Sequence, residues 1–487
     1  MTRLARAARE IVAAVALGVS AGAAAAPAAL PAEVSRAFLA THVPLSAMGI
    51  VVQEVGAKAP LFAHQPTKAL NPASTMKLVT TFAALELLGP DYRWKTTAYL
   101  DGTLTDGVLK GNLVLKGGGD PKITVEQWQA FMASLRANGL AVVDGDLVLD
   151  RSFFAPMPHD PAAFDGEPLK PYNVGPDALL VNFKSVKFAF APNAAADATQ
   201  LVMVPPLAAV NVGAPPVLAA GACNDWRGTL GAVFVDRGDS ADVRFAGRYP
   251  AECGEREWYV SLLDSPSYVA GMFATYFAAA GGRFTGGWKE GQAPRDAAPF
   301  ATLESAPLFD VVRDVNKLSN NVMARQVFLT LATARAPPPA TTAGAARAVR
   351  ALLAQHRLKM PELILDNGSG LSRRERISAG SIVNLLLAAD ASGVRDEYAS
   401  SLAVAATDGT VQRRFQNGSV GGQALLKTGT LEGVRAIAGY VIDREGRRFA
   451  LAALVNHPDA GRAQAALDFL VQWVYQNGAA WPAGSAR

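Results

Sequence analysis

The chain has 487 residues, of which 50% are apolar, 18% charged and 8% aromatic, which excludes a disordered chain, a collagen and a disulfide-rich miniprotein. Its 46 basic and 42 acidic residues leave a formal charge of +4 without a concentrated basic stripe, so no nucleic-acid partner is expected. Length alone points to about three domains of roughly 150 residues, with room for a sizeable core.

Arg3, Arg6 and Arg9 precede an apolar, Ala-rich run from Ile11 to Ala26 that ends on small residues. This is the pattern of a secretory signal peptide over residues 1–25, cleaved after Ala25 because Pro27 disfavours the next bond. The alternative is an N-terminal anchor, but the run falls short of the ~20 strongly apolar residues that a spanning helix needs. Removing the segment leaves a nearly neutral chain without a stable transmembrane anchor. Outside the cytosol a disulfide can form, and Cys223 and Cys253 are the only cysteines. A bridge is preferred over two free thiols on the ground of compartment.

Residues 45–66 read as a strand pair with Gly56 near the turn. In NPASTMKLVTTFAALELLGP, Met76, Val79, Ala83 and Leu87 recur at three or four, predicting an amphipathic helix stopped by Gly89-Pro90. From Thr96 the texture becomes alternating strand broken at Asp-Gly turns, with one helix at VEQWQAFMASLRANG. Residues 151–300 read as short strands between many Pro and Gly, and 96–300 as mainly β and separate from the flanks. Helical texture returns after residue 300, in LFDVVRDVNKLSNNVMARQVFLTLATA and AARAVRALLAQHR. GGQALLKTGT, RAIAGYVID and RRFALAALVNH predict an antiparallel meander, and AQAALDFLVQWVYQNG a closing helix. The expected fold class is α+β: residues 27–95 and 301–487 form one domain, an antiparallel sheet flanked by helices, into which 96–300 is inserted.

Three motifs carry chemistry. Ser74-x-x-Lys77 places a hydroxyl and an amine one helical turn apart, where a buried neutral lysine can serve as the base that a serine nucleophile needs. Taken alone, such a pair also describes a capping serine and a surface lysine. Ser319-Asn320-Asn321 and Lys427-Thr428-Gly429 each occur once, in that order, in a helical region and at the end of an apolar strand. The ordered set is that of penicillin-binding proteins and class A β-lactamases. Gly18-Val19-Ser20-Ala21-Gly22 spells a nucleophile elbow but lies inside the signal segment, and the five scattered histidines offer no metal spacing.

On these motifs the chain resembles the penicillin-recognising serine peptidases with a β-lactamase/transpeptidase-like domain. The long interval from Ser74 to Ser319, the segment LKGGGDP at 115–121 and the stretch Asp366-Asn367-Gly368-Ser369-Gly370-Leu371-Ser372-Arg373 narrow the resemblance. They are similar to the D-alanyl-D-alanine carboxypeptidase/endopeptidase group of penicillin-binding protein 4. The resemblance implies that Ser74 is acylated, Lys77 is its base and Ser319 relays a proton to the leaving amine. It further implies that Asn321 binds the substrate amide, that Lys427 and Thr428 (with Gly429 on the same strand) hold the terminal carboxylate, and that the N–H groups of Ser74 and Thr430 form the oxyanion hole. Asp165, Tyr172 and Arg373 would meet the stem-peptide side chain; at a further substrate-facing position the group often has Gln, and here stands Glu432. The implied partners are peptidoglycan stem peptides, with β-lactams as inhibitors, in the periplasm and without cofactor or metal. One rival is a β-lactamase or esterase on the same fold, but Glu362 lacks the spacing of a deacylating glutamate. The other is a non-catalytic peptidoglycan-binding protein, which would be free to lose residues that are all retained here.

Overall fold

A computed structural model of the chain describes residues 29–193 and 197–478. The expected signal segment (1–25) and the GVSAG sequence at 18–22 lie outside the described residues.

Six strands, counted among the described residues, make the main sheet: β1 (Met48–Glu54), β2 (Phe62–His64), β3 (Ala403–Val404), β4 (Ala424–Leu431), β5 (Val434–Ile442) and β6 (Arg448–Asn456). Their order is β3-β4-β5-β6-β1-β2, antiparallel throughout, so strands from both ends of the chain share one sheet. β5 and β6 are buried along nearly their whole length because both faces of the sheet are covered. Alternate side chains feed two different cores. Ala436, Ala438 and Tyr440 pack with the helices that carry the motifs, whereas Ile437 and Val441 pack against the closing helix Gln464–Asn477. This is the two-residue period of a strand with both faces buried.

Helix α1 (Lys77–Leu88) departs from the amphipathic expectation. Lys77 through Leu85 are all buried, so the helix runs through the middle of the domain with no solvated stripe. Its α-helical hydrogen bonding begins only at Lys77; Ser74 sits in a 3-10 turn, Ala73–Met76, just ahead of it. The predicted helical stretch after residue 300 is likewise two helices, Leu308–Lys317 and α2 (Asn321–Thr330), broken where Ser319 takes a left-handed φ of 58°. The helix α3 (Ala379–Asp390), apolar on most of its surface, has no counterpart among the expected elements. Its Ser378 cap accepts from Ser381 N–H, and Tyr440 of the sheet donates to its Leu386 carbonyl at 2.6 Å.

The segment between the two halves builds a second sheet around a hairpin, Lys95–Thr105 with Val108–Lys116. Strand Ala301–Glu304 pairs antiparallel with the start of that hairpin, Glu304 opposite Lys95. The chain thus enters and leaves this unit side by side, and the boundary expected at 300/301 lies instead after Glu304. The unit is β-rich, as expected, but beside the anticipated helix it holds a second, fifteen-residue helix, Ser265–Ala279, capped by the Asp264 carboxylate. It is not separate along its whole length. Phe154 and Ala178 are buried in the core of the first unit, and Phe154 forms a bridge to Ala340.

Cys223 and Cys253 are joined in a disulfide that closes a span of 30 residues. The double substitution Cys223→Ser/Cys253→Ser should destabilise this unit by about 3–4 kcal/mol on the chain-entropy account. Urea unfolding followed by tryptophan fluorescence checks it: the transition of the inserted unit should move to lower urea while the main-sheet unit keeps its midpoint.

Candidate active site

The peptide ahead of Ser74 is strained and held from three sides. Ala73 has a left-handed φ of 47°, and its N–H donates to Asn71 Oδ1 at 2.9 Å. Asn71 is in turn clamped by Asn456 at the end of β6, which accepts from its N–H at 2.7 Å and donates to its carbonyl at 2.9 Å. The Asn71 amide also donates to the Ser372 carbonyl at 2.8 Å. Such a conformation persists only where its surroundings over-determine it.

Two serine–lysine pairs converge. Lys77 Nζ donates to Ser74 Oγ at 3.0 Å, to Asn321 Oδ1 at 2.6 Å and to the Ser369 carbonyl. Lys427 Nζ donates to Ser319 Oγ at 2.9 Å and to the Thr428 carbonyl at 3.1 Å. Both ammonium groups have no solvent exposure. Burial, reinforced by the positive charge of Lys427 nearby, holds Lys77 well below the usual lysine range. Burial alone brings Lys427 down to about 7. Asn320 caps α2 by accepting from Met323 N–H, which leaves the next side chain, Asn321, free to reach Lys77.

Gly429 is what lets β4 lie against the serine turn, since a Cβ there would stand 2.6 Å from the Pro72 carbonyl and 3.1 Å from Ala73 Cβ. Thr428 is half-buried, with its hydroxyl 2.8 Å from that of Thr410, and Thr430 is exposed. Beyond Leu426 the outer edge of β4 carries no paired strand among the described residues, because β3 reaches only Leu425 and Leu426.

Arg373 lies at the rim. Its guanidinium sits 4.7 Å from the ring centre of Phe164, donates to the Glu432 carbonyl at 3.3 Å and stands 3.5 Å from the Glu432 carboxylate. Phe164 packs on Ala73, Leu371, Leu431 and Val434, so this contact borders the serine turn. Asp165 and Tyr172 are not hydrogen-bonded to Arg373; they pair with each other, Tyr172 donating to Asp165 at 2.8 Å, and Asn173 donates to the same carboxylate at 2.8 Å. Burial of Asp165 is outweighed by these two bonds, which hold it below the usual carboxylate range, while burial and this partner push Tyr172 up to about 12. Arg325 of α2, buried, ties the segment down by donating to the Val174 carbonyl at 2.7 Å. A cleft of about 510 Å³ between these parts is lined by Phe164, Asn173, Arg325 and Arg373. Among the described residues no His, Cys, Asp or Glu side chains cluster as a metal site would require.

Thr410 and Arg325 also take part, and no motif in the sequence points to either. Ser369 lay in a recognised stretch, but the contact made by its carbonyl had no signal, since every residue has one.

Residues 30–476 match the model of the D-Ala-D-Ala carboxypeptidase 3 (S13) family. The chain belongs to this family. It is therefore a peptidase, a hydrolase, of the D-Ala-D-Ala carboxypeptidase type that the motif set implied. Among its relatives, a D-alanyl-D-alanine carboxypeptidase from Actinomadura sp. (strain R39) is 28% identical over 445 residues, 86% of this chain and 79% of that one. The crystal structure of penicillin binding protein 4 (dacB) from Haemophilus influenzae superposes with a TM-score of 0.75 at 21% identity, covering 90% of this chain and 99% of that one. Bd3459, a predatory peptidoglycan endopeptidase from Bdellovibrio bacteriovorus, superposes with a TM-score of 0.52 at 16% identity, covering 88% and 92%. The fold is thus the β-lactamase/transpeptidase-like one with a large insertion, as expected.

Gly429→Ala forces its methyl group into the Pro72 carbonyl and must move β4 off the serine turn. Peptidase activity on a D-Ala-D-Ala peptide should fall at least about tenfold, because reacting groups misplaced by a fraction of an ångström lose that much. Circular dichroism of the variant should match the parent.

Proposed function

We propose that this S13 peptidase is a periplasmic serine DD-peptidase that cleaves D-Ala from peptidoglycan stem peptides and opens D,D-cross-links, by way of an ester on Ser74. The observation that carries this reading is the buried Lys77 amine 3.0 Å from Ser74 Oγ in surroundings that favour its neutral form. The neutral amine takes the Ser74 proton as Oγ bonds to the carbonyl carbon of the penultimate D-Ala. The backbone N–H groups of Ser74 and Thr430 face the developing oxyanion. The C–N bond then breaks, and the leaving amine receives its proton through Ser319; water hydrolyses the ester and frees Ser74. Asn321 orients the substrate amide. Lys427, as a cation, and Thr428 hold the terminal carboxylate by charge-assisted hydrogen bonds. The open edge of β4 beyond Leu426 offers main-chain pairing to an extended peptide. Arg373, Asp165 and Tyr172 border the space for the stem-peptide side chain, and the Glu432 carboxylate beside Arg373 adds a negative charge there.

Export through a cleaved segment at residues 1–25 agrees with this substrate, and among the described residues no helix is long and apolar enough to cross a membrane. The disulfide fits an oxidising compartment.

Penicillin would acylate the same serine, but its leaving amine stays tethered and blocks the approach of water. A β-lactamase answers with a glutamate that activates water from another side. Glu362, the candidate nearest in sequence, is engaged elsewhere: it accepts from Ser378 N–H at 3.1 Å and Ser381 Oγ at 2.6 Å at the start of α3. A penicilloyl adduct should therefore accumulate and persist for minutes or longer. Intact-protein mass against time, after a few equivalents of benzylpenicillin, should show one added drug molecule in the parent and none in Ser74→Ala. Rapid drug turnover without an adduct would favour the β-lactamase reading, and release of D-Ala or of monomers from cross-linked muropeptides tests the peptidase directly.

The two lysines also set a pH dependence. Lys77 serves as base only when deprotonated, so kcat/KM rises with pH through its lowered pKa. Lys427 attracts a carboxylate only when protonated, so kcat/KM falls as it loses its proton at about 7 in the free enzyme. The profile of kcat/KM for a D-Ala-D-Ala peptide should be bell-shaped, its alkaline limb lying far below the pH at which an exposed lysine titrates.

A further inference from the structure

The 366–370 turn touches both members of the Ser74–Lys77 pair. The Ser369 carbonyl accepts from Lys77 Nζ, and the preceding Gly368 carbonyl accepts from Thr80 Oγ1 at 2.6 Å, one turn along α1. Gly370, at φ +81°, packs so closely on the serine turn that a Cβ would lie 2.7 Å from Ser74 N. This turn is held by Glu375. Oε1 of Glu375 accepts the N–H groups of Asp366, Asn367 and Gly368 at 3.2, 3.0 and 2.8 Å. The side chain has no solvent exposure, and Oε2 is buried without a hydrogen-bond partner.

A turn can be tied down by a neutral amide or hydroxyl, so a buried acid with one oxygen unsatisfied is a costly way to do it. The charged groups around it suggest what the acid adds. Lys77 on α1 and Arg325 on α2 both feel its charge, Lys427 on β4 adds a third cation facing Lys77, and Asp366 is the acidic neighbour on its own turn. We propose that Glu375 is a positioning residue for acyl transfer: it gathers the 366–368 N–H groups so that the Ser369 carbonyl orients Lys77 Nζ toward Ser74, and its carboxylate partly offsets the buried cations. The inference rests on the reading of Ser74 as nucleophile and Lys77 as base.

The sign follows from the charges. Burial, Lys427 and Arg325 drive the proton off Lys77, whereas Glu375 retains it. Burial raises the pKa of Glu375 itself, against the three N–H groups that favour its ionised form. Replacing it by a neutral isostere therefore lets Lys77 lose its proton at lower pH.

The experiment follows the rate of benzylpenicillin acylation of the full chain between pH 5 and 9, by stopped flow and intact mass, in the parent, Glu375→Gln and Glu375→Ala. In Glu375→Gln the amide oxygen can still accept the three N–H groups, so the plateau rate should stay within about threefold of the parent. Its acid limb should move to lower pH by about half a unit or more, because a charge within the cluster is gone. Glu375→Ala releases the turn and should lose about tenfold or more of the plateau rate. A folded Glu375→Ala with the parent's plateau overturns the proposal, as does a Glu375→Gln acid limb that coincides with the parent's. Should Glu375→Ala fail to fold, the Glu375→Gln limb decides alone. A parent that forms no adduct on Ser74 brings down the reading of the site itself and this inference with it. Normal acylation in the parent with unchanged variants sinks only the role of Glu375.

Discussion

Two ammonium groups are buried side by side, and the rest of the molecule is arranged so that they can be. Lys77 and Lys427 have no exposed surface, and each has a serine hydroxyl and a carbonyl within its reach in place of water. Neither has a carboxylate within ion-pair distance among the described residues. A cation without a paired anion in a low-dielectric interior relieves its cost by losing its proton. That is the state in which a lysine can act as a base, so the energetic penalty of burial and the chemical competence of the site have one origin.

Keeping the amines dry requires close packing from several directions. α1 is buried on nearly every side, β4 approaches through Gly429, and the 366–370 turn approaches through Gly370. At both glycines a methyl group would collide with backbone of the 72–74 turn rather than with a side chain that could yield. The left-handed Ala73 and Ser319 are the strained points of this assembly, one immediately before the first hydroxyl and one at the second. Rigid elements lie on either side of each, which is how local strain is sustained in a folded chain.

The inserted unit is bound to this centre through α2. Asn321 at the start of that helix meets Lys77; one turn later Arg325 and Gln326 hold the 172–177 segment and the GGGD segment by their carbonyls. Val322 packs with Val174, Leu180 and Phe183 beside three successive left-handed residues, Asn182 to Lys184. Such a run is unfavourable for L-residues, and here the Asn182 amide bonds to the Ser185 carbonyl and the Tyr268 hydroxyl. The same helix thus presents a group to the reacting centre and fixes the loop that walls the neighbouring cleft.

Much of this was legible in one dimension. Hydroxyl–amine spacing of three, the single S-x-N and the single K-T-G name the candidate reacting groups, because a helical turn and a strand end impose those spacings locally. Alternation in RAIAGYVID and RRFALAALVNH names the strands, and the expected export favours the bridge between Cys223 and Cys253. Local texture is ambiguous elsewhere: α1 and α3 are apolar on most sides, so periodicity cannot tell a central helix from a surface one, and Ser265–Ala279 is submerged in a Pro- and Gly-rich stretch. Strand 301–304 could be assigned to the second sheet only by its partner at Lys95–Ala98, some 200 residues away. Glu375, set in the arginine-rich SRRERIS, reads as a surface acid; Arg325 and Thr410 carry no motif at all. By itself the sequence determined which hydroxyls and amines are the candidates to react and on which elements they ride, since covalent spacing fixes those relations. The tertiary structure alone decided that both lysines are dry and which carboxylate lies near Lys77, because desolvation and charge proximity depend on packing between segments hundreds of residues apart.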